Sequence, residues 1–296
     1  MIWLIGNKGM LGTELSLLLE KKGIPHTGTD REVDITDPAA LGVFAEKQAA
    51  AGQPFTWIIN CAAYTAVDKA EGDAETCGRL NTDGPGNIAE TAKKIGARLI
   101  HFSTDYVFNG RGSQPYKEDD PTDPTGVYGL TKRDGERRIL AANDATWIIR
   151  TAWLYGRYGN NFVHTMLRLM KERDSVSVVK DQRGSPTWAY DLANAVTLLI
   201  AAVEGGKPVS PDIYHYTNEG NITWFDFAQE IYAQGRKLGL IPKACAVKPC
   251  ASAEFPAKVT RPAYSVLDKG KMQAALGIEI PAWDASLEQY LRTCVP

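Results

Sequence analysis

Segments typical of buried strands recur along the first half of the chain, and helical stretches separate them. Residues 2–5, 57–60, 99–103 and 147–151 are short, mainly apolar runs, and a further short strand is predicted at 26–29. Apolar runs of this length predict strands that are buried on both faces, as in a parallel sheet. Their alternation with helices predicts a doubly wound parallel sheet of the α/β class.

The first strand leads into a glycine-rich turn, GNKGMLG at residues 6–12, and helical character begins at residue 13. Bare glycines let the backbone approach a pyrophosphate, and the helix N-terminus supplies N–H groups and the positive end of its dipole. A tight surface turn could show the same pattern. The position of the turn between the first strand and the first helix favours a Rossmann-type dinucleotide-binding unit.

The second predicted strand ends at Asp30 and Arg31, and Asp30 lies 18 residues beyond Gly12. An acidic residue at this distance suits hydrogen bonds to the hydroxyls of the adenosine ribose, which favours NAD. Arg31 could meet a 2′-phosphate instead, or form a solvated ion pair. Both NADH and NADPH therefore stay open as cofactors.

Small residues follow the third predicted strand at 61–65, where a cofactor could lie close against the backbone. Further on, the Gly-Pro-Gly sequence at 84–86 predicts that the helix leading through 88–95 is kinked or begins late. The fourth strand delivers the sequence STDYVF at 103–108 to its carboxyl end. In an open α/β sheet, ligands bind at that edge.

Tyr128 and Lys132 are four residues apart, and the stretch after them has good helix formers up to residue 142. Residues at this spacing share one face of a helix. A phenol with an ordinary pKa of about 10 is a poor proton relay at neutral pH, and an ammonium group one turn away lowers that pKa. The pattern alone also fits a surface tyrosine beside a solvated lysine, so its interpretation depends on the upstream fold.

The second half of the chain predicts a smaller, mainly C-terminal α/β substrate lobe. Helices are predicted at 161–173, 189–203 and 283–292, with a further helix beginning at residue 223, and strands are predicted at 176–179 and 213–216. We expect a dinucleotide-binding domain at 1–153, completed by about 187–216, and a substrate-binding lobe made of 154–186 and 217–296.

Composition excludes several classes of function. The chain has 296 residues, 44% of them hydrophobic and 23% charged, with a formal net charge of −2, so it lacks the basic surface of a nucleic-acid-binding protein. The longest apolar run, 192–203, is too short to cross a bilayer. The five scattered cysteines and four histidines form no zinc motif, and the N-terminus lacks a secretory pattern, so we expect a cytoplasmic protein with reduced thiols.

With the glycine turn, the STDYVF stretch and Tyr128-x-x-x-Lys132, the chain resembles the extended short-chain dehydrogenase/reductase superfamily. More narrowly it resembles the dTDP-4-dehydrorhamnose reductase family, through TAVDKAE at 65–71, GNNF at 159–162 and Arg261-Pro262. The resemblance runs essentially end to end. It implies that NADPH or NADH reduces the C4 ketone of dTDP-4-dehydro-L-rhamnose, a dTDP-linked 4-keto-6-deoxy sugar, to dTDP-L-rhamnose for polysaccharide biosynthesis, in a monomer or homodimer.

The resemblance also implies roles for individual residues. The catalytic residues would be Thr104, which bonds the substrate oxygen, Tyr128, the proton donor, and Lys132, which holds the nicotinamide ribose and lowers the pKa of the tyrosine. The cofactor-binding set comprises Tyr128, Lys132, Gly6, Gly9, Met10, Leu11, Asp30, Arg31, Asp34, Ile35, Ala62 and Ala63. The substrate-binding set comprises Val67, Asp68, Lys69, Thr104, Tyr106, Trp153 and Arg261. Arg261 is a candidate for the diphosphate because a guanidinium fits phosphate oxygens, although a surface arginine is the alternative.

Two departures from related patterns refine the expectation. Superfamily members that dehydrate a nucleotide sugar resemble this chain but carry Asp-Glu after the catalytic threonine. Here that pair is Asp105-Tyr106, which favours simple ketone reduction. Some members of the reductase family bind Mg²⁺ through carboxylates on two helices; Glu14 and Asp191 are present, but Tyr190 stands where those members have Glu, so we predict no metal.

Two alternatives to this function stay open. One is another nucleotide-sugar enzyme of the superfamily, such as an epimerase or a reductase for a different 4-keto sugar. The other is a non-catalytic regulatory subunit, because the beta subunit of methionine adenosyltransferase also resembles these reductases. The joint presence of Thr104, Tyr128 and Lys132 favours an enzyme.

Overall fold

Six parallel strands form the central sheet of the computed structural model, which describes residues 1–254 and 259–295. The strands are β1 (Ile2–Ile5), β2 (His26–Thr29), β3 (Trp57–Asn60), β4 (Arg98–Thr104), β5 (Thr146–Thr151) and, later in the chain, β10 (Ile213–His215). Their order is β10-β5-β4-β3-β1-β2, so the strand order reverses between β1 and β3. The doubly wound sheet predicted from the sequence is therefore confirmed.

Helices cover both faces of the sheet and build a core on each. One core joins α1 and α8 to the sheet, and the other joins α2, α5 and α6 to its opposite face. The buried strand residues alternate between the two cores, as a sheet covered on both sides requires. These helices are α1 (Met10–Lys21), α2 (Pro38–Ala50), α3 (Val67–Ala70), α4 (Ala74–Gly78), α5 (Gly84–Ile95), α6 (Val127–Ala142) and, later in the chain, α8 (Ala189–Glu204).

A separate hydrophobic core lies in the second half of the chain, around Tyr155, Phe227 and Tyr290. The predicted strand at 213–216 instead joins the main sheet as β10, beside β5. The division into two domains at the boundaries given above stays a prediction. The remaining elements are β6 (Leu154–Tyr155), α7 (Phe162–Glu172), β7 (Ser175–Val179), β8 (Arg183–Gly184), β9 (Thr187–Trp188), β11 (Ile222–Thr223), α9 (Trp224–Lys237), β12 (Ala246–Cys250), α10 (Gly270–Leu276) and α11 (Trp283–Thr293).

The helical irregularity predicted near the Gly-Pro-Gly sequence takes the form of a π-helical turn. It spans Arg79–Asp83 and connects α4 to α5, with Pro85 in the first turn of α5. The side chain of Asn81 in this turn accepts a hydrogen bond from Tyr64 N at 2.8 Å and donates one to Tyr64 O at 3.0 Å. The turn thereby fastens the small-residue segment that follows β3.

No helix within residues 1–254 and 259–295 has the length and apolar character needed to cross a membrane.

A buried ion pair fixes α6 against the sheet. Arg150 of β5 donates from Nε to Glu136 Oε1 at 2.9 Å and from Nη2 to Oε2 at 2.7 Å, and both side chains are 2% exposed. Arg150 also donates to Glu118 O at 3.3 Å, and its guanidinium lies 5.1 Å from the ring centre of Phe108. One arginine thus connects a helix, a strand and the long loop between β4 and α6.

We predict that Glu136→Gln lowers the free energy of unfolding by about 3–5 kcal/mol, because the change leaves a buried guanidinium without its counter-charge. Urea unfolding measures the effect. The control is Glu172→Gln, which breaks a pair with Arg168 whose side chains are 55% and 62% exposed, and it should cost at most about 0.5 kcal/mol. Equal losses in the two variants would show that breaking the buried pair costs no more than breaking an exposed one.

Candidate active site

The glycine turn packs so closely against neighbouring backbone that side chains cannot fit. Gly6 has φ of +77°, and a Cβ there would lie 2.6 Å from Ala62 N. A Cβ on Gly12 would lie 2.1 Å from Gly6 O. Gly9 caps α1 without a side-chain hydrogen bond, so the first N–H groups of the helix keep their bonding capacity. This is the backbone geometry that a pyrophosphate requires.

The structure brings several of the predicted cofactor residues to this turn. Thr29 O, directly before Asp30, accepts hydrogen bonds from Gly6 N at 2.7 Å and Asn7 N at 3.2 Å. Asp30 is partly exposed beside the turn, whereas Arg31 is exposed. The Cβ distances above place Ala62 on the other side of Gly6, with Ala63 following it in sequence.

The other predicted cofactor residues differ in what they can offer. Asp34 Oδ1 accepts from the N and Oγ1 of Thr36, both at 2.8 Å, and these bonds lower the pKa of the carboxyl. Ile35 and Leu11 are buried in the two cores of the sheet. The Leu11 side chain is therefore committed to packing, and only its backbone N–H can serve a phosphate. Met10, the first residue of α1, is partly exposed.

Strand β4 delivers Thr104 and Asp105 to the carboxyl edge of the sheet. Thr104 Oγ1 donates to Asp105 Oδ1 at 2.9 Å and accepts from Tyr106 N at 3.2 Å. Asp105 is 3% exposed, and its Oδ2 has no hydrogen-bond partner among the described residues. Burial raises the pKa of this carboxyl to about 6, although the neighbouring hydroxyls of Ser265 and Thr104 oppose the rise. Asp105 was not among the site residues predicted from the sequence.

Tyr128 and Lys132 lie on one helix, α6, as predicted, and the helix approaches the end of β4 very closely. A Cβ on Gly129 would lie 2.2 Å from Tyr106 O. The ring of Tyr128 stands edge-on to that of Tyr106, with 5.6 Å between centroids and 75° between planes. The structure therefore brings Thr104, Tyr106 and Tyr128 together.

The expected lowering of the tyrosine pKa is absent from this structure. Burial raises the pKa of Tyr128 above its ordinary value of 10, and it outweighs the opposing bond with Thr104. Lys132 is 2% exposed, and its Nζ donates to Phe102 O at 2.6 Å and lies 3.2 Å from His101 Nε2. Burial also lowers the pKa of the lysine to about 8. The expectation was wrong because it considered the lysine charge without the desolvation of both groups.

His101 and Asn60, which the sequence analysis also passed over, complete the surroundings of the lysine. Both side chains are 1% exposed, and Asn60 Nδ2 lies 3.0 Å from His101 Nδ1. A signal was present in the sequence, because a histidine inside a mainly apolar strand must find polar partners when it is buried.

A cleft of about 1200 Å³ reaches Tyr106, whose ring packs against Tyr128, and takes in three of the predicted substrate residues, Asp68, Tyr106 and Arg261. Arg261 pairs with Asp68 through Nη2 and donates from Nη1 to the Tyr106 hydroxyl at 3.3 Å. The cleft continues along β7 from Ser175 to Val179.

The cleft is not lined by Val67, Lys69 or Trp153, the other predicted substrate residues considered with it. Val67 begins the short helix α3, which also carries Asp68, and Lys69 in that helix is exposed. Trp153 has φ of +47°, and its ring stacks on Trp224 at 3.6 Å and 10°. Trp224 itself lines the cleft, so Trp153 supports one of its lining residues.

Glu14 and Asp191, considered above for a metal, lie on α1 and α8. Asp191 Oδ2 accepts hydrogen bonds from Asn218 Nδ2 at 2.7 Å and Ser286 Oγ at 2.5 Å. In the described part of the chain, no three His, Cys, Asp or Glu side chains are grouped as a metal site would require.

Comparisons with known proteins agree with this geometry. The chain matches the family described as RmlD substrate binding domain over residues 1–295. It is 44% identical over 292 residues to a dTDP-4-dehydrorhamnose reductase of Streptomyces griseus, with 97% of this chain and 92% of that protein covered. It is 40% identical over 293 residues to a probable dTDP-4,6-dihydroxy-2-methyloxan-3-one 4-ketoreductase of Streptomyces antibioticus, with 98% and 94% covered.

A solved structure gives the same result. The crystal structure of a dTDP-4-dehydrorhamnose reductase from Bacillus anthracis in complex with NADP has a TM-score of 0.89 to this chain at 34% identity, and 99% of this chain and 98% of that chain are covered. The resemblance inferred from the sequence motifs is therefore confirmed.

We predict that Asp105→Asn changes the pH dependence of stability. A carboxyl whose pKa rises from 3.8 to about 6 on folding contributes stability that is fully present below pH 3.8 and is lost as the pH rises through 6. The variant lacks this loss, so its stability relative to the parent should be greater at pH 7.5 than at pH 4 by roughly 2–3 kcal/mol. Urea unfolding at both pH values measures the change.

The control for this prediction is Asp144→Asn, which alters an exposed carboxyl. Its stability relative to the parent should vary little over the same pH range. A difference between Asp105→Asn and the parent that stays constant from pH 4 to pH 7.5 would contradict the raised pKa.

Proposed function

The chain belongs to the family described as RmlD substrate binding domain, and on that premise we propose that it reduces the C4 ketone of dTDP-4-dehydro-L-rhamnose to dTDP-L-rhamnose. NADPH or NADH is the reductant in this proposal, and Tyr128 is the proton donor. The proposal rests above all on the meeting of Thr104, Tyr128 and Lys132 at the carboxyl edge of the sheet, beside a glycine turn built for a pyrophosphate.

The site residues fit a nicotinamide dinucleotide. The N–H groups at the start of α1 and the backbone of Gly6 and Gly9 would hold the pyrophosphate, and Asp30 would hold the adenosine ribose. When bound, the reduced nicotinamide supplies the hydride. The chain itself supplies two hydroxyls, those of Thr104 and Tyr128, for the substrate oxygen.

The proton chemistry follows from the pKa directions. The pKa of Tyr128 is raised, so at neutral pH the phenol carries the proton that the reaction consumes. As charge develops on the substrate oxygen, Tyr128 gives it that proton, and Thr104 orients the same oxygen by a hydrogen bond. Tyr106 replaces the glutamate that dehydrating relatives carry after the aspartate, and this supports simple reduction.

The cleft supports a nucleotide-linked substrate. Its volume and its extension from Tyr106 along β7 leave room for a sugar near Tyr128 and a nucleotide beyond it. Arg261 offers a guanidinium for the diphosphate, and its pair with Asp68 holds the head group in place. In this proposal the cleft is shared: residues 154–186 and 217–296 form the substrate lobe that supplies most of it, and Asp68 and Tyr106 belong to the dinucleotide-binding domain of 1–153 and about 187–216.

The setting of the enzyme belongs to the same proposal. All five cysteines carry free thiols, which supports a reducing compartment, and we propose the cytoplasm. The assembly is a monomer or a homodimer.

A second substrate should be tested as well. The Streptomyces antibioticus relative is named as a ketoreductase for a different dTDP-linked ketone, at 40% identity. Its site carries out the same reaction class by name, so the choice of sugar depends on the cleft rather than on the catalytic residues. The two ketones should therefore be assayed side by side.

We predict that the protein oxidises NADPH or NADH when dTDP-4-dehydro-L-rhamnose is supplied, and that Tyr128→Phe lowers kcat by at least about 100-fold while cofactor binding survives. Absorbance of the reduced nicotinamide measures turnover, and fluorescence titration measures binding. The control, Tyr232→Phe, removes a hydroxyl that accepts a hydrogen bond from Cys245 N at 3.4 Å, in the separate hydrophobic core of the second half of the chain. Undiminished turnover in Tyr128→Phe would overturn the assignment, and binding without turnover on either ketone would favour a regulatory subunit.

We predict opposite effects of the two residues that follow β2. Asp30→Ala should weaken NADH binding by about tenfold and NADPH binding less, because only NADH offers both ribose hydroxyls to the carboxylate. Arg31→Ala should weaken NADPH more, because the 2′-phosphate loses its counter-charge. Dissociation constants for both cofactors decide the matter, and equal losses in Asp30→Ala would remove this residue from the ribose.

A further inference from the structure

A chain of hydrogen bonds runs through the sheet to Lys132. Ala62 N donates to Asn60 Oδ1 at 3.0 Å, Asn60 Nδ2 lies 3.0 Å from His101 Nδ1, and His101 Nε2 lies 3.2 Å from Lys132 Nζ. Asn60 and His101 are each 1% exposed and Lys132 is 2% exposed. Water therefore has little access to these groups, and they must satisfy one another.

The backbone fixes the direction of every bond in this chain. A peptide N–H can only donate, so the atom of Asn60 facing Ala62 N must be the oxygen, and the NH₂ group must face His101. Because that NH₂ group can only donate, His101 Nδ1 must be an acceptor without a proton. A neutral imidazole then carries its single proton on Nε2.

His101 is held in this neutral form by its surroundings. Burial lowers its pKa well below 6.5, and the neighbouring Lys132 charge lowers it further. An Nε2–H group consequently points at Lys132 Nζ. An ammonium has three donors and no lone pair, whereas a neutral amine can accept this N–H and still donate to Phe102 O.

We propose that Asn60 and His101 are positioning residues, which present a fixed N–H donor to Lys132 Nζ and thereby stabilise the neutral amine of this lysine relative to its ammonium. The effect on turnover rests on the proposed function, whereas the orientation of Asn60 and the protonation of His101 and Lys132 do not. These hydrogen bonds thus set the fraction of Lys132 that is positively charged, one helical turn from Tyr128, at a given pH.

The other groups around Lys132 do not offset this donor. Glu136 on the same helix favours the ammonium, but its carboxylate is bound at both oxygens by Arg150 of β5. The Cys77 thiol on α4 also faces the lysine, and burial raises its pKa, which keeps it neutral. Phe102 O accepts from either form of the lysine, and Tyr128 is neutral at working pH. Burial lowers the pKa of Lys132 to about 8, which is the same direction as the effect of this donor.

The direct test is NMR of the whole protein, which requires no turnover. With ¹⁵N-labelled histidine, assigned by His101→Met, the His101 ring should show a proton on Nε2 and none on Nδ1 from pH 6 to pH 9. A proton on Nδ1, or on both nitrogens, would overturn the proposal. Because this readout does not depend on substrate, a failure of the reductase assay and a failure of this inference are distinguishable.

One substitution should reverse the donors and acceptors in this series of hydrogen bonds. In Asn60→Asp, Ala62 N can still donate to one carboxylate oxygen, while the other can only accept a hydrogen bond, so His101 must carry its proton on Nδ1. The Nε2 atom then becomes an acceptor for the ammonium of Lys132. With ¹³C,¹⁵N-labelled lysine, assigned by Lys132→Arg, the affinity of Lys132 for its proton should rise at least about tenfold, or one pKa unit. The alkaline limb of kcat/KM should move upward by the same amount.

Two controls separate this effect from the new charge itself. Asn143 is also buried and also accepts from a backbone N–H two residues on, Ala145 N at 3.0 Å, so Asn143→Asp should leave the Lys132 titration unchanged. In a His101→Met background, Asn60→Asp can act only through its charge, and its effect should be smaller. Equal shifts with and without His101 would overturn the proposal. If the double variant does not fold, the protonation of His101 in the parent protein decides.

Discussion

The active site depends on how tightly helix α6 is held against strands β4 and β5. The two ends of the contact between α6 and these strands are held by different interactions. Near its start, Gly129 lets the helix touch the backbone of Tyr106, and further along, Glu136 binds Arg150 with both oxygens. Lys132 lies between these two anchors, with its Nζ on Phe102 O. A buried, fully bonded ion pair adds little net stability, but its geometry defines one position for the helix.

The same desolvation explains the unusual protonation behaviour of the site. It raises the pKa of Tyr128 and of Asp105, and it lowers that of Lys132 and of His101. All four shifts favour the uncharged form of the group, as burial must. This bias fits the proposed role of Tyr128, because a proton donor has to hold its proton until the substrate oxygen needs it.

Local patterns sufficed to predict the elements that bear the chemistry. The strands at 26–29 and 57–60 have the predicted bounds, and Tyr128 and Lys132 share one helix because their spacing and composition are local properties. Asp105, His101 and Asn60 were missed for a common reason. The importance of Asp105 arises from its burial, and that of Asn60 and His101 from their contact across neighbouring strands. The run at 99–103 looked like an ordinary apolar strand although it contains a histidine. The tyrosine pKa was misjudged because a charge one turn away is visible in the sequence and burial is not.

Substrate recognition is harder to predict than catalysis for a related physical reason. The proposed catalytic groups lie at the end of β4 and on helix α6, which packs directly against that strand, and Tyr128 and Lys132 are only one helical turn apart. The cleft instead depends on pairs such as Asp68 and Arg261, which are 193 residues apart, and on Trp153 stacking against Trp224. Such contacts join residues far apart in the sequence, so no local pattern reveals them. Substrate choice can therefore differ between chains of one reaction class, and the relative from Streptomyces antibioticus bears a different substrate name at 40% identity.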